Sequence, residues 1–190
     1  FAIMFSAYFG NALPLLAVQI LWINLVTDGL PALALSLEAV EEDAMTKKPR
    51  AKKENIISRA LASRMVLVGI VMMLGTLALF KFELHQPQTI DMNDEEIGPW
   101  QYQGSYSEYD QSQQPSQDPT QQAITKRKRE ILFRYPQTMA FTVLMLFQMF
   151  NVINCRSESH SAFKLKNNKW LWYAITFSLG LHALVLYTPL

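Results

Sequence analysis

One cysteine, Cys155, stands in 190 residues, so no disulfide framework holds this chain and nothing about its redox compartment follows. The three histidines are scattered, which excludes a soft-metal site of clustered imidazole and thiolate ligands. A glycine-rich phosphate loop is missing, as are a nucleophile elbow and a His-rich metal motif. Net charge is +1, from 17 basic and 16 acidic residues, so charge gives no argument for nucleic acid. Half of the residues are apolar, which rules out disorder as the overall class. Such averages describe one ordinary soluble domain, but charge is itself lacking over long stretches. Residues 1–37 hold one charged side chain, Asp28, and residues 66–80, 135–155 and 170–190 hold none.

Length decides the class. A bilayer core of about 30 Å needs roughly 20 helical residues. Residues 15–37, 61–82, 137–154 and 170–187 all come close to that length. Four such runs are too many for the buried helices of a soluble chain this size. The expected fold is all-α, a polytopic transmembrane helix bundle. The chain opens on Phe1 inside an apolar run, with residues 1–9 reading as the tail of a membrane helix, and no signal-peptide pattern is present. It reads as a piece of a larger integral, multi-pass membrane protein, with the lipid bilayer as its first partner.

Gly10-Asn11-Ala12-Leu13-Pro14 is a turn signal. Residues 83–134 form a long polar stretch rich in Gln, Ser, Pro and Tyr, whose 111–122 portion is expected to be a mobile loop. Trp170, Trp172 and Tyr187 flank the last span as interfacial anchors. Seven Lys and Arg precede the second span (Lys47, Lys48, Arg50, Lys52, Lys53, Arg59, Arg64), and Arg156, Lys164, Lys166 and Lys169 precede the fourth. Residues 38–60 and 155–169 are therefore expected on the cytoplasmic side and residues 83–134 on the opposite side. The run Lys126-Arg127-Lys128-Arg129 objects to this orientation, although loops of this length obey the charge rule weakly. It reads as a solvated charge cluster rather than a nucleic-acid site.

The most informative segment is Asn24-Leu25-Val26-Thr27-Asp28-Gly29-Leu30-Pro31. An Asp in mid-span is costly and marks function by default. Asn24 and Asp28 share a helix face, with Thr27 beside it. Gly29 and Pro31 follow, and Pro31 removes an N–H and crowds the preceding turn, so a break is expected there. Carbonyls freed at membrane depth persist only where protein or a cavity satisfies them. A carboxylate, an amide, a hydroxyl and freed carbonyls make a hard oxygen site, suited to Ca²⁺ or Mg²⁺, and discontinuous helices at the midplane hold transported ions. The competing reading is a proline kink whose Asp28 pairs with a distant Lys or Arg. In the third run Gln148, Asn151 and Asn154 line one stripe. Their amides either ligate a cation or hydrogen-bond between helices, and composition alone favours packing. His182 reads as an interhelical histidine rather than a ligand.

Residues 18–35, VQILWINLVTDGLPALAL, closely resemble the sixth membrane helix of P-type calcium-transporting ATPases of the reticulum type and their bacterial and archaeal relatives. Met45-Thr46-Lys47-Lys48-Pro49-Arg50 is similar to the cytoplasmic loop after that helix. Residues 138–151 resemble the eighth helix, and Leu181-His182 with Leu186-Tyr187 the ninth. On that resemblance residues 1–9 end the fifth helix, 15–37 are the sixth, 61–82 the seventh, 137–154 the eighth and 170–187 the ninth. The resemblance implies an ATP-driven pump moving Ca²⁺ out of the cytoplasm. Asn24, Thr27, Asp28 and Gln148 would be ion ligands, Asn151 and Asn154 a secondary polar stripe, Gly29 and Pro31 the helix break. Lys47, Lys48, Pro49 and Arg50 would form a coupling loop. Mg²⁺ and ATP would belong to the parent protein, with no catalytic residue in this stretch, and the remainder of the ATPase chain would be its partner. Animal reticulum-type pumps carry a glutamate where this chain has Gln148, which implies one Ca²⁺ per cycle. Two alternatives stand: the same architecture pumping Mn²⁺, Na⁺ or H⁺, and a truncated, non-catalytic membrane module.

Overall fold

The computed structural model describes residues 3–4, 13–38, 58–94, 97–112, 118–156 and 168–188. Beyond residues 3–4, the order is α1 (Ala17–Trp22), a π-helical turn (Ile23–Gly29), α2 (Leu30–Ser36), α3 (Arg59–His85), β1 (Gln88–Asp94), β2 (Gly98–Gly104), α4 (Tyr106–Ser112), α5 (Pro119–Asn154) and α6 (Lys169–Tyr187). Among the described residues four helical runs are long and apolar enough to cross a membrane: the continuous Ala17–Ser36, then α3, α5 and α6. The chain is a mostly helical, multi-pass membrane protein, as its apolar runs require.

By its contacts the chain divides into two compact units, residues 1–16 with 73–143, and residues 17–72 with 144–190. The first holds most of what the sequence reads as a polar loop. Strands β1 and β2 pair antiparallel from Gln88↔Gly104 to Asp94↔Gly98, and Gly98 takes φ +80° at the turn, a conformation open to glycine at little cost. Ser105 and Glu108 then start α4 as a reciprocal cap: the Glu108 carboxylate accepts from the Ser105 amide at 2.9 Å and the Ser105 hydroxyl from the Glu108 amide at 3.4 Å. Tyr106 and Tyr109 pack with Phe80 and Leu84 of α3 and Leu132, Phe133 and Ala140 of α5, and Ile90, Trp100 and Tyr102 of the hairpin close over them.

Of the 111–122 stretch expected as a mobile loop, residues 111–112 end α4 and residues 119–122 open α5. Aromatic residues widely spaced in the sequence reach one core, and that burial orders a segment whose local composition is polar. The basic run takes part. Lys128 Nζ lies 5.5 Å from the centre of the Trp100 ring, and Arg129 donates to the Tyr106 hydroxyl at 2.8 Å while its guanidinium stands 5.9 Å from the Phe133 ring. These cations serve aromatic faces.

Helix α5 spans 36 residues, about 54 Å at 1.5 Å per residue, well beyond the roughly 30 Å of a bilayer core. Its polar first half carries the basic run; the apolar stretch read from Gln137 to Asn154 is its second half. Pro136 sits inside it. The Thr138 hydroxyl bonds back to the Arg134 carbonyl at 2.7 Å and Thr142 to Thr138 at 2.9 Å, so side chains share carbonyls around a point where a backbone donor is lost.

In the second unit Ala34, Met149, Leu171 and Ile175 form the buried core. Leu171, Ile175, Ser178 and His182 are the buried stripe of α6, at the spacing of one helix face. Asn168 caps that helix, its side-chain oxygen accepting from the Leu171 amide at 3.2 Å. Trp170, Trp172 and Tyr187 at its ends are exposed.

Candidate cation site

Where a break is expected at Gly29 and Pro31 the helical run is continuous, but it widens to a π-turn over Ile23–Gly29 and returns to α-helix with Pro31 in its first turn. A π-turn pairs each carbonyl with the amide five residues on. It is rare, occurs mostly as a single turn inside an α-helix, and is frequent at functional sites. Pro31 lies just past its end: with no N–H at residue 31, neither the α-helical bond to the Thr27 carbonyl nor the π-helical bond to the Val26 carbonyl can form. The turn also carries β-branched Ile23, Val26 and Thr27, which are stiff and fit a regular α-turn less well than straight side chains.

Thr27 is 1% exposed. Its hydroxyl oxygen lies 2.5 Å from the Ile23 carbonyl oxygen and 2.6 Å from Gln148 Oε1 on α5. One hydroxyl carries one proton and donates to one of these two oxygens at a time. Three oxygens of three kinds (hydroxyl, backbone carbonyl and amide) thus converge with more lone pairs than protons between them. These are oxygens of the kinds a hard cation takes, and equally those of a hydrogen bond between two helices.

The residues expected at the site are distributed unevenly. Thr27 and Gln148 meet. Asn24 lies on the same π-turn with its side chain exposed, Gly29 is exposed and Pro31 is buried. The backbone of Asp28 belongs to the turn, while its side chain lies outside what the structure describes. Asn151 is half-buried and Asn154 exposed. Lys47, Lys48, Pro49 and Arg50 lie outside the described residues. Among the described residues no group of three His, Cys, Asp or Glu side chains converges, and the two side chains seen to meet here, Thr27 and Gln148, are neutral.

A second polar cluster was not legible in the sequence. Arg156 donates to Glu38 Oε1 at 2.7 Å, and the Asn168 side-chain amide donates to Glu38 Oε2 at 2.7 Å and to the Ala34 carbonyl at 3.1 Å. It ties together the end of α2, the end of α5 and the start of α6, as an alternating topology requires of the segments flanked by residues 38 and 156. The weak signals were the first charge after one apolar run, the first charge after another, and an Asn just ahead of a third. Burial would raise the Glu38 pKa, but the hydrogen bonds from Arg156 and Asn168 and the Arg156 charge outweigh it and hold the carboxyl below its ordinary value. A carboxyl whose folded pKa is lowered stabilises the fold above its ordinary pKa, and that contribution is lost as pH falls through the lowered value.

The Arg156 side chain is 5% and the Glu38 side chain 17% exposed, so removing the cation strands a largely buried carboxylate. Arg156→Ala should cost about 2–4 kcal/mol, toward the lower end for a broken buried pair because Glu38 keeps some solvent. Thermal inactivation of the detergent-solubilised full-length protein measures it. Glu38→Gln should leave a flatter loss of stability than wild type below about pH 4.5. An unchanged acid limb would show that this carboxylate contributes nothing.

The sequence model of the family described as "Cation transporting ATPase, C-terminus" matches residues 12–190, and the chain belongs to that family. It is 31% identical over 188 residues to the calcium-transporting ATPase of Bacillus subtilis, covering 98% of this chain and 16% of the relative. It is 33% identical over 187 residues to calcium-transporting ATPase 1 of Schizosaccharomyces pombe, covering 97% of this chain and 16% of that protein. With human calcium-transporting ATPase type 2C member 2 it shares 29% over 191 residues, 99% of this chain and 16% of the relative. The chain thus spans about a sixth of the length of the curated relatives it matches.

Proposed function

We propose that this chain is the ion-binding membrane part of an ATP-driven calcium pump that moves Ca²⁺ out of the cytoplasm. The observation that carries the reading is the meeting of Thr27 and Gln148 at a π-turn that also bears Asn24 and Asp28. Thr27, Gln148 and Asn24 supply neutral oxygens and Asp28 the fixed charge. Oxygen donors of this kind favour Ca²⁺, Mg²⁺ or Mn²⁺ over a soft metal, and the names of the relatives favour calcium.

ATP, with Mg²⁺, acts on other parts of the pump. Phosphorylation there moves the helices that carry Thr27 and Gln148, so the ion is held well in one arrangement and poorly in the other. Transport needs that difference in affinity between states. Residues 38–60, with Lys47, Lys48, Pro49 and Arg50, lie on the cytoplasmic side and relay the movement; residues 155–169 share that side and residues 83–134 face away from it.

Gln148 gives the site an amide where a carboxylate would add a charge, and affinity for a divalent cation follows ligand charge count. One Ca²⁺ per ATP is the expected stoichiometry. The test is phosphoenzyme formation from ATP in the full-length pump under separate titrations of Ca²⁺, Mn²⁺ and Na⁺, with ⁴⁵Ca uptake per ATP in sealed vesicles. Phosphorylation that requires Ca²⁺ supports the reading. Phosphorylation driven by Mn²⁺ or Na⁺ keeps the architecture and changes the cargo, and an uptake of two Ca²⁺ per ATP overturns the single site.

A further inference from the structure

We propose that Ser178, on α6, is a positioning residue of the cation site, acting through the backbone of Val26; the inference rests on the cation-site reading above. Ser178 is fully buried, in the stripe Leu171, Ile175, Ser178 and His182. Its hydroxyl donates to the Val26 carbonyl at 3.2 Å. Val26 is 4% exposed and lies inside the π-turn, directly before Thr27.

The choice of carbonyl is what gives the contact meaning. In a ladder that runs to the fifth residue on, the carbonyl of Val26 looks to residue 31. Residue 31 is proline and has no N–H to give. The break that opens the turn therefore frees this carbonyl at membrane depth, where an unsatisfied polar group is costly. Ser178 supplies the missing donor from another helix. Ser178 and Thr27 thus hold the same stretch of turn from two sides: Ser178 binds the carbonyl of Val26, and the Thr27 hydroxyl lies 2.6 Å from Gln148 on α5.

Without the Ser178 hydroxyl the Val26 carbonyl must find another donor. The nearest remedy is rewinding of the turn, because an α-helical register would offer it the amide four residues on, that of Leu30, and would pass the missing bond to the Thr27 carbonyl. Rewinding turns Thr27 about the helix axis and away from Gln148. Ser178 does not ligate the ion in this account. It selects the backbone register in which the ligands meet, as the outer partners of metal ligands fix ligand orientation.

An interhelical serine can also be simple packing glue, and the experiment separates the two roles. In the full-length pump, the ion concentration giving half-maximal phosphoenzyme is compared with the maximal phosphoenzyme level and with thermal inactivation in the absence of that ion. Ser178→Ala should raise the half-maximal concentration about 3- to 10-fold, at or below the range for outer partners of metal ligands, with the maximal level unchanged. Ser178→Thr, which keeps the hydroxyl, should stay within about twofold of wild type, and Ser178→Cys, a weak donor, should fall between. If the Ala variant does not accumulate, the Cys and Thr pair decides alone. A half-maximal concentration unchanged in Ala or Cys, with stability lost, reduces Ser178 to packing and overturns the proposal. If wild type answers to Mn²⁺ or Na⁺, the calcium reading fails while the same comparison on that ion still judges Ser178. A wild-type pump phosphorylated independently of any ion removes both.

Discussion

Asp28→Asn in the full-length pump should abolish calcium-dependent phosphoenzyme formation at micromolar Ca²⁺, with a loss of apparent affinity of about 100-fold or more. The expectation follows from ligand charge, since calcium sites are tuned over decades by the number of charged oxygens they hold. Asp28 is the sole charged side chain in residues 1–37, and Asn keeps its shape while removing that charge. Fold and expression should change little, because an intramembrane carboxylate is itself costly and its amide less so. Phosphorylation by inorganic phosphate without calcium gives the control: a variant that keeps it while losing calcium-dependent phosphorylation from ATP has lost ion binding. A variant with wild-type calcium dependence would return Asp28 to the competing role, an ion-paired residue beside a proline kink.

The second large effect is expected at Gln148. Leucine there removes the oxygen that stands 2.6 Å from the Thr27 hydroxyl, yet leaves Thr27 its bond to the Ile23 carbonyl at 2.5 Å. The turn should therefore persist while a ligand is lost, and half-maximal calcium for phosphorylation should rise about tenfold or more. Gln148→Glu should act in the opposite direction, adding a negative charge to neutral donors and lowering half-maximal calcium. Two variants at one position moving the affinity in opposite directions identify a ligand. Parallel losses in both, with reduced thermal stability, would assign Gln148 to helix packing, which is the role its composition alone favours.

Both roles require Gln148 to meet another helix, and the structure shows that it does. Gln148, Asn151 and Asn154 share a helical stripe, and spacing cannot say which of them meets another helix. Gln148 meets buried Thr27, while Asn151 is half-buried and Asn154 exposed. The stripe is thus one contact residue followed by two more open amides. Nor does sequence show which side chain satisfies a carbonyl freed by Pro31, because Val26 and Ser178 are 152 positions apart.

The membrane class, the four apolar runs long enough to span and a backbone donor missing at Pro31 were determined by the sequence alone. The reasons are local: hydrocarbon thickness sets the length of an apolar run, and a proline withholds its own donor wherever it stands. The segment of residues 83–134 was legible only as polar. Its described parts are held by Trp100, Tyr102, Tyr106 and Tyr109 packing with Phe80, Leu84 and Phe133, a core that no local window contains. The Lys126–Arg129 run likewise reads as a topology signal until Lys128 and Arg129 are seen against aromatic rings. At the site, the sequence supplied the residue types and the break, and tertiary structure decided the register. A π-turn, a hydroxyl between two acceptors and a clasp of Glu38, Arg156 and Asn168 all depend on which helices lie side by side, and only packing in three dimensions settles that.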